Sequence, residues 1–262
     1  MRQFLFLLLS GLLLYGCAVN PVTGKNELAL ISQSQEINIG RENYGPSIQM
    51  QGGDYTVNPE LSAYVSEIGQ KLAAVSDRQL PYEFTVLNNP TPNAWALPGG
   101  KIAVNRGLLL ELNNEAELAA VLGHEIVHAA ARHGAQQMER GMLLQGALIA
   151  TNIAVQNSEY GNLVVGGAQL AAGLVHTKYS RDDELEADYY GMLYMSRAGY
   201  DPMAAVKLQE TFVRLSENQS QNWLAGLFAS HPPSEERVQA NRKTAASLPR
   251  GGTLGTMNYE EH

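Results

Sequence analysis

Between Ala116 and Ala131 the chain reads AELAAVLGHEIVHAAA, a helix-forming run that is apolar on nearly every face and therefore belongs in a core. Three ionisable side chains interrupt it: His124, Glu125 and His128. A buried imidazole or carboxylate without a partner is strongly destabilising, so the fold must bring something that satisfies all three. Residues four apart lie roughly 6 Å along a helix and about 40° around it, which lets His124 and His128 aim two ring nitrogens at one ion. Glu125 falls at the rim of the same face, where a carboxylate can serve as a base without ligating the metal. His133 comes about two and a half turns after His124 and is expected on the opposite face, as a structural or surface residue beside Arg132. A metzincin would carry its third histidine where Gly134 stands, which sets that subclass aside.

A second segment, YSRDDELEADYYG (residues 179–191), supplies carboxylates on another expected helix. Ser180 suits the N-cap with Asp183 three residues on, and Arg197 and Gly199 mark the C-terminal end. Glu184 and Asp188 share a face that continues through Met192 and Met195, and that face is expected to be buried. Glu184 is expected as the third metal ligand. Two histidines and a glutamate make a zinc set, one ion per chain. For Asp188 two readings stand: the carboxylate that holds a ligand imidazole in its tautomer, or a salt bridge along its own helix. Glu186 lies about 200° around the helix from Glu184 and is expected to face elsewhere.

HEIVH followed by ELEAD (184 minus 124, sixty residues on), with NAWALPGGKIAVNRGLL (93–109), ARHG and SHPPSEER (230–237), resembles the gluzincin metallopeptidases of the M48 family, the HtpX, BepA and Oma-like zinc peptidases. The resemblance covers most of the chain. It implies an α+β, mainly α-helical gluzincin fold with a small β-sheet beside the HExxH helix. Zinc would sit on the residues matching His124, His128 and Glu184, with Glu125 as catalytic base. It also implies an active-site role for His231, either stabilising the tetrahedral intermediate or acting as a removable extra ligand that keeps the enzyme latent, with Arg237 a second candidate of this kind. Gluzincins bind substrate as an added strand along a sheet edge; Asn93, Ala94, Trp95 and Ala96 are the candidate edge, the alternative being a plain core strand. The implied function is a zinc-dependent endopeptidase hydrolysing misfolded or stalled cell-envelope proteins. A chaperone-like outer-membrane assembly factor with little or no proteolysis is the alternative, and the intact Glu125 argues against it.

At 262 residues with 45% apolar content the chain can bury a core of one domain. A net charge of −8 without a basic run argues against nucleic acid or an anionic membrane face as partner. MRQFLFLLLSGLLLYG carries one positive charge and an apolar stretch too short to span a bilayer comfortably, the pattern of a signal peptide. Cys17 is the only cysteine and has no internal disulfide partner. LYGC resembles a bacterial lipobox, so Cys17 is expected to be the lipidated N-terminus and the membrane contact. Ala18 lacks the aspartate of inner-membrane retention, which implies the outer membrane, periplasmic side, with polypeptide substrates and outer-membrane assembly machinery as partners. The expected division is a lipoprotein signal peptide (1–16), a lipidated N-terminus and linker (17–33), a zinc metallopeptidase domain (34–248) and a flexible tail (249–262).

Within the domain, a helix is expected from about Ser34 to Tyr44, followed by the loop-like GPSIQMQGGDYTV. Asn58 and Pro59 open a helix, residues 82–88 read as a strand, and residues 94–104 as a hairpin with Pro98 and Gly99 in the turn. Two Ala, Gly and Leu rich stretches, 142–155 and 163–176, suggest a helical hairpin within 141–177: a lid, a membrane-facing plug or plain core. Further helices are expected after Asp201 and Pro202 and within SHPPSEER. No repeat of about 34 residues occurs.

Overall fold

A computed structural model describes residues 17–155, 178–217 and 222–257. The signal segment 1–16, the second half of the expected helical hairpin (156–177) and the last residues of the tail (258–262) lie outside the described residues. In chain order the elements are β1 (Cys17–Val19), β2 (Asn26–Leu28), α1 (Gln33–Met50), α2 (Pro59–Ala73), β3 (Glu83–Leu87), β4 (Ala94–Leu97) and β5 (Lys101–Asn105). There follow α3 (Arg106–Leu109), α4 (Glu115–Ala130), α5 (His133–Val155), α6 (Arg181–Arg197), α7 (Met203–Glu217), α8 (Ala225–Ser230) and α9 (Glu235–Ser247). The fold is α+β and mainly helical, with small sheets, as expected for a gluzincin. No described helix is long and apolar enough to cross a membrane.

Helix α4 is the centre of the core. All its residues except Glu115 and His124 are buried, as the apolar run demands. Asn114 caps it by accepting from the Glu117 amide, and the Leu254 carbonyl accepts from the free Ala116 amide. Helix α6 packs most extensively against α4, while α2 and α7 cover other sides. The sheet runs β3-β5-β4, with β3 parallel and β4 antiparallel to the central β5, so β4 is an edge strand next to α4. The hairpin of 94–104 forms as expected. Gly99 and Gly100 take φ of 80° and 92° in its turn, and a Cβ on Gly99 would stand 2.6 Å from Ile37 Cα. Only glycine lets α1 rest on that turn.

Three segments differ from the sequence reading. Helix α1 continues through Gly45 and Pro46 to Met50, where a loop was expected. Its last turn buries Ile48 against Leu87, Trp95 and Leu97, and that packing outweighs the single hydrogen bond that proline removes. Residues 17–28, within the expected linker, form a docked hairpin: β1 and β2 pair antiparallel, and Asn20 in their turn donates to the Ala131 carbonyl. Residues 250–257 are anchored as well, with Thr253 bonded to Gly199 and Asp201 and Met257 buried.

The end of α4 is the pivot of the fold. Arg132 adopts φ 65°, a left-handed turn that costs a non-glycine residue roughly 1–2 kcal/mol, and α5 starts at the next residue. Its buried guanidinium donates to Glu36 and Glu27 at 2.7 Å, to the Ile31 carbonyl at 2.8 Å and to Glu139 at 3.0 Å. Arg78 also pairs with Glu36 at 2.9 Å. This buried network fastens the N-terminal hairpin and α1 to the end of α4, and every charge in it has an opposite partner.

Candidate metal centre

Helix α4 carries His124, Glu125 and His128 on one stretch, and α6 lays Glu184 and Asp188 across it. The start of α6 is set by a reciprocal cap: Ser180 Oγ accepts from the Asp183 amide while the Asp183 carboxylate accepts from the Ser180 amide at 2.9 Å. The C-cap of α8 is His231, and α9 contributes Arg237. Ligand atoms of His124, His128, Glu184 and His231 all lie within 4.8 Å of one another.

The spacing fits a metal. His124 Nε2 lies 3.0 Å from His128 Nε2 and 3.2 Å from His231 Nδ1. Glu184 Oε1 is 3.0 Å from His231 Nδ1 and 3.3 Å from His128 Nε2, and Glu184 Oε2 is 3.5 Å from His124 Nε2. Tetrahedral ligands with metal–nitrogen bonds of about 2.0 Å stand roughly 3.3 Å apart. Five of the six donor pairs stand at 3.0–3.5 Å and all lie within 4.8 Å, so three imidazole nitrogens and a carboxylate form a donor set suited to zinc, and both helix histidines present Nε2 to its centre.

Behind the donors, each helix histidine is held from its Nδ1 side. His124 Nδ1 is 3.0 Å from Asp188 Oδ1, and Arg237 donates twice to Asp188, each bond 2.7 Å. Asp188 therefore touches a ring of the cluster, and its cation comes from α9, not from its own helix. Arg237 Nη1 also lies 2.8 Å from Glu184 Oε2. The resemblance implied an active-site role at Arg237; in the structure it is the buried counter-ion of two carboxylates and lines the same cavity as Glu125 and His231.

His128 has the partner that sequence spacing ruled out. His133 is buried, and its Nδ1 lies 2.8 Å from His128 Nδ1. Glu186, expected to face elsewhere, reaches His133 Nε2 at 3.2 Å. The angular argument assumed one continuous helix, and the left-handed Arg132 turns the chain back instead. Tyr179 was also missed: its ring stacks on His128 at 3.7 Å with planes 13° apart. Its only sequence signal is its place immediately before the Ser180 cap.

Charge readies Glu184 and His128 for ligation, while His124 carries a proton that a metal must displace. Burial would raise Glu184, but the neighbouring His231 and His124 outweigh it and hold the carboxyl well below its usual range. Burial keeps His128 well below the ordinary histidine value, hence neutral. His124 is also disfavoured as a cation by burial, yet Glu184 and Asp188 push it up to about 10. Asp188 is lowered, burial being overcome chiefly by Arg237.

Glu125 sits to one side of this set. Its Oε1 is 3.5 Å from His231 Nε2, and its Oε2 is buried without a hydrogen-bond partner among the described residues. Burial raises its pKa, which makes it a stronger base than a surface glutamate. A cavity of about 60 Å³ opens beside His124, Glu125 and His231 and reaches Ala94 of β4 and the apolar side chains of Met195 and Leu208. All of Asn93 to Ala96 is buried, and Asn93 Oδ1 and Trp95 Nε1 lack partners among the described residues. Cys17 opens β1.

Comparison with known proteins gives one consistent outcome. Residues 59–245 match Peptidase family M48. The mitochondrial metalloendopeptidase OMA1 of Schizosaccharomyces pombe is 38% identical over 180 residues, 67% of this chain and 50% of the relative. OMA1 of Arabidopsis thaliana is 34% identical over 62% of this chain and 32% of the relative. The beta-barrel assembly-enhancing protease of Escherichia coli is 27% identical over 83% of this chain and 46% of the relative. The chain thus spans half or less of the length of these relatives.

Proposed function

The chain belongs to peptidase family M48 and is a metallopeptidase, and from that premise we propose that it is a zinc-dependent endopeptidase acting on misfolded or stalled cell-envelope proteins, anchored by lipid on Cys17 at the periplasmic side of the outer membrane. The observation that carries this reading is the four-donor cluster, its ligand atoms all within 4.8 Å of one another, with Glu125 beside it.

His124, His128 and Glu184 would hold the ion. Zinc supplies Lewis acidity and brings the pKa of water near 7. Glu125 takes the proton from the attacking water and passes it to the leaving amine. Asp188 orients His124, and Arg237 keeps Asp188 ionised. His231 completes a closed set of four protein donors, whereas catalysis needs an open position. His231 would therefore serve as a removable ligand that closes the site, and once displaced it could donate to the substrate oxyanion. Its backbone lies outside the helices that carry the other donors, between the short α8 and the Pro232–Pro233 segment that leads to α9.

Substrate would meet β4 at Ala94, since Asn93 to Ala96 are otherwise buried. Asn105 donates to the Asn93 carbonyl, so by antiparallel alternation the peptide groups of Ala94 and Ala96 point away from β5. Ala94 also lines the cavity at Glu125. Recognition through backbone groups is tolerant of sequence, which suits a protease of misfolded chains. The beta-barrel assembly-enhancing protease among the relatives supports an envelope setting.

The test is zinc content and cleavage of an unfolded β-barrel protein by the purified chain and by Glu125→Gln. One zinc in both proteins with cleavage in the wild type alone supports the protease. Equal activity in the two would refute Glu125 as base. Full complementation of a deletion strain by Glu125→Gln would favour the chaperone-like assembly factor.

A further inference from the structure

The geometry points to His133 and Glu186 as positioning residues for the metal ligand His128, a role that rests on the zinc site proposed above. His128 turns Nε2 toward Glu184 at 3.3 Å and Nδ1 toward His133 at 2.8 Å. If Nε2 gives its lone pair to the metal, the one proton of the neutral ring must be on Nδ1. It is then donated to His133 Nδ1, which must be the bare nitrogen of its ring. The His133 proton is left on Nε2, facing Glu186 Oε1 at 3.2 Å. Each step dictates the next, and the chain ends on a carboxylate that Lys25 meets at 3.4 Å.

The two ligand histidines are therefore supported alike. His124 donates directly to Asp188, whose counter-ion is Arg237; His128 donates through a second imidazole to Glu186, whose counter-ion is Lys25. A buried histidine of purely structural use needs any partner for each nitrogen. His133 instead meets a nitrogen that must be a donor when metal is bound, so its acceptor atom, and not only its bulk, is required. Tyr179, stacked on the His128 ring, leaves that ring little freedom to turn toward another acceptor.

The experiment uses the full-length protein stripped of metal, with zinc affinity measured by competition with a chelator and metal-free unfolding recorded for every variant. His133→Leu should weaken zinc binding by about 10–100-fold, the usual cost of losing such a partner. His133→Asn should recover most of it, because the amide oxygen can take the place of Nδ1. Glu186→Ala, at a partly exposed position, should give a smaller loss in the same direction. Wild-type affinity in His133→Leu, or an Asn variant no better than Leu, overturns the inference; should His133→Leu fail to fold, wild-type affinity in Glu186→Ala does so. Failure of the underlying site looks different: the wild type takes up no zinc, or His128→Ala binds it as the wild type does.

Discussion

Gly123 of the histidine helix lies against Gly191 of the carboxylate helix, and a Cβ on Gly191 would come within 3.1 Å of both the Gly123 carbonyl carbon and the His124 amide nitrogen. This contact sets how closely Glu184 and Asp188 approach His124. Alanine gains roughly 0.5–1 kcal/mol over glycine inside a helix, so any net loss in Gly191→Ala reports the contact. Gly191→Val should cost about 1–3 kcal/mol by overpacking and weaken zinc binding as the helices separate. Denaturant unfolding and zinc titration check both; a Val variant with unchanged zinc affinity would show that the spacing does not matter.

Arg237 lies between Asp188 and Glu184, and its loss leaves two carboxylates buried. Arg237→Met should therefore destabilise the metal-free protein by about 3–5 kcal/mol. Zinc should restore part of this, because it neutralises Glu184. Urea unfolding with and without zinc is the measurement, and an equal loss in both states would contradict the assignment.

Arg132 sets conformational strain against charge pairing. Arg132→Gly relieves the left-handed φ, worth roughly 1–2 kcal/mol, but takes from Glu27, Glu36 and Glu139 the cation they share and leaves Glu36 with Arg78 alone. Removing one partner from such a network costs about 3–5 kcal/mol, so the glycine variant should be the less stable protein. A gain in unfolding midpoint would reverse that ranking.

The raised His124 has consequences for pH. Its folded value is about 10 against 6.5 when free, so in the metal-free protein its stabilising contribution is complete below about 6.5 and drains away as pH rises toward the folded value. Zinc must displace that proton. Binding should release protons at neutral pH, and apparent affinity should climb through the same interval. Calorimetry in buffers of different ionisation enthalpy measures the release directly; none at pH 7 would mean that His124 is already neutral.

Much of the site was legible in the chain because it is local. The turn-by-turn spacing of His124, Glu125 and His128, the Ser180 cap that phases Glu184 and Asp188, and the Pro98–Gly100 hairpin each depend on residues within a few positions of one another. His231 was reached only through family resemblance, since a histidine before two prolines has no periodic signal.

The sequence alone determined which side chains share a helix face, because helical geometry is set by neighbouring peptides. Only the tertiary structure decided what lies behind those faces. His133 escaped the angular argument because Arg132 breaks the helix phase at φ 65°, and that break is held by Glu27 and Glu36, about a hundred residues earlier. The same holds for Arg237 on Asp188, the hairpin on Ala131 and the Leu254 carbonyl capping α4. Each joins groups remote along the chain, and burial, not local propensity, makes their pairing obligatory.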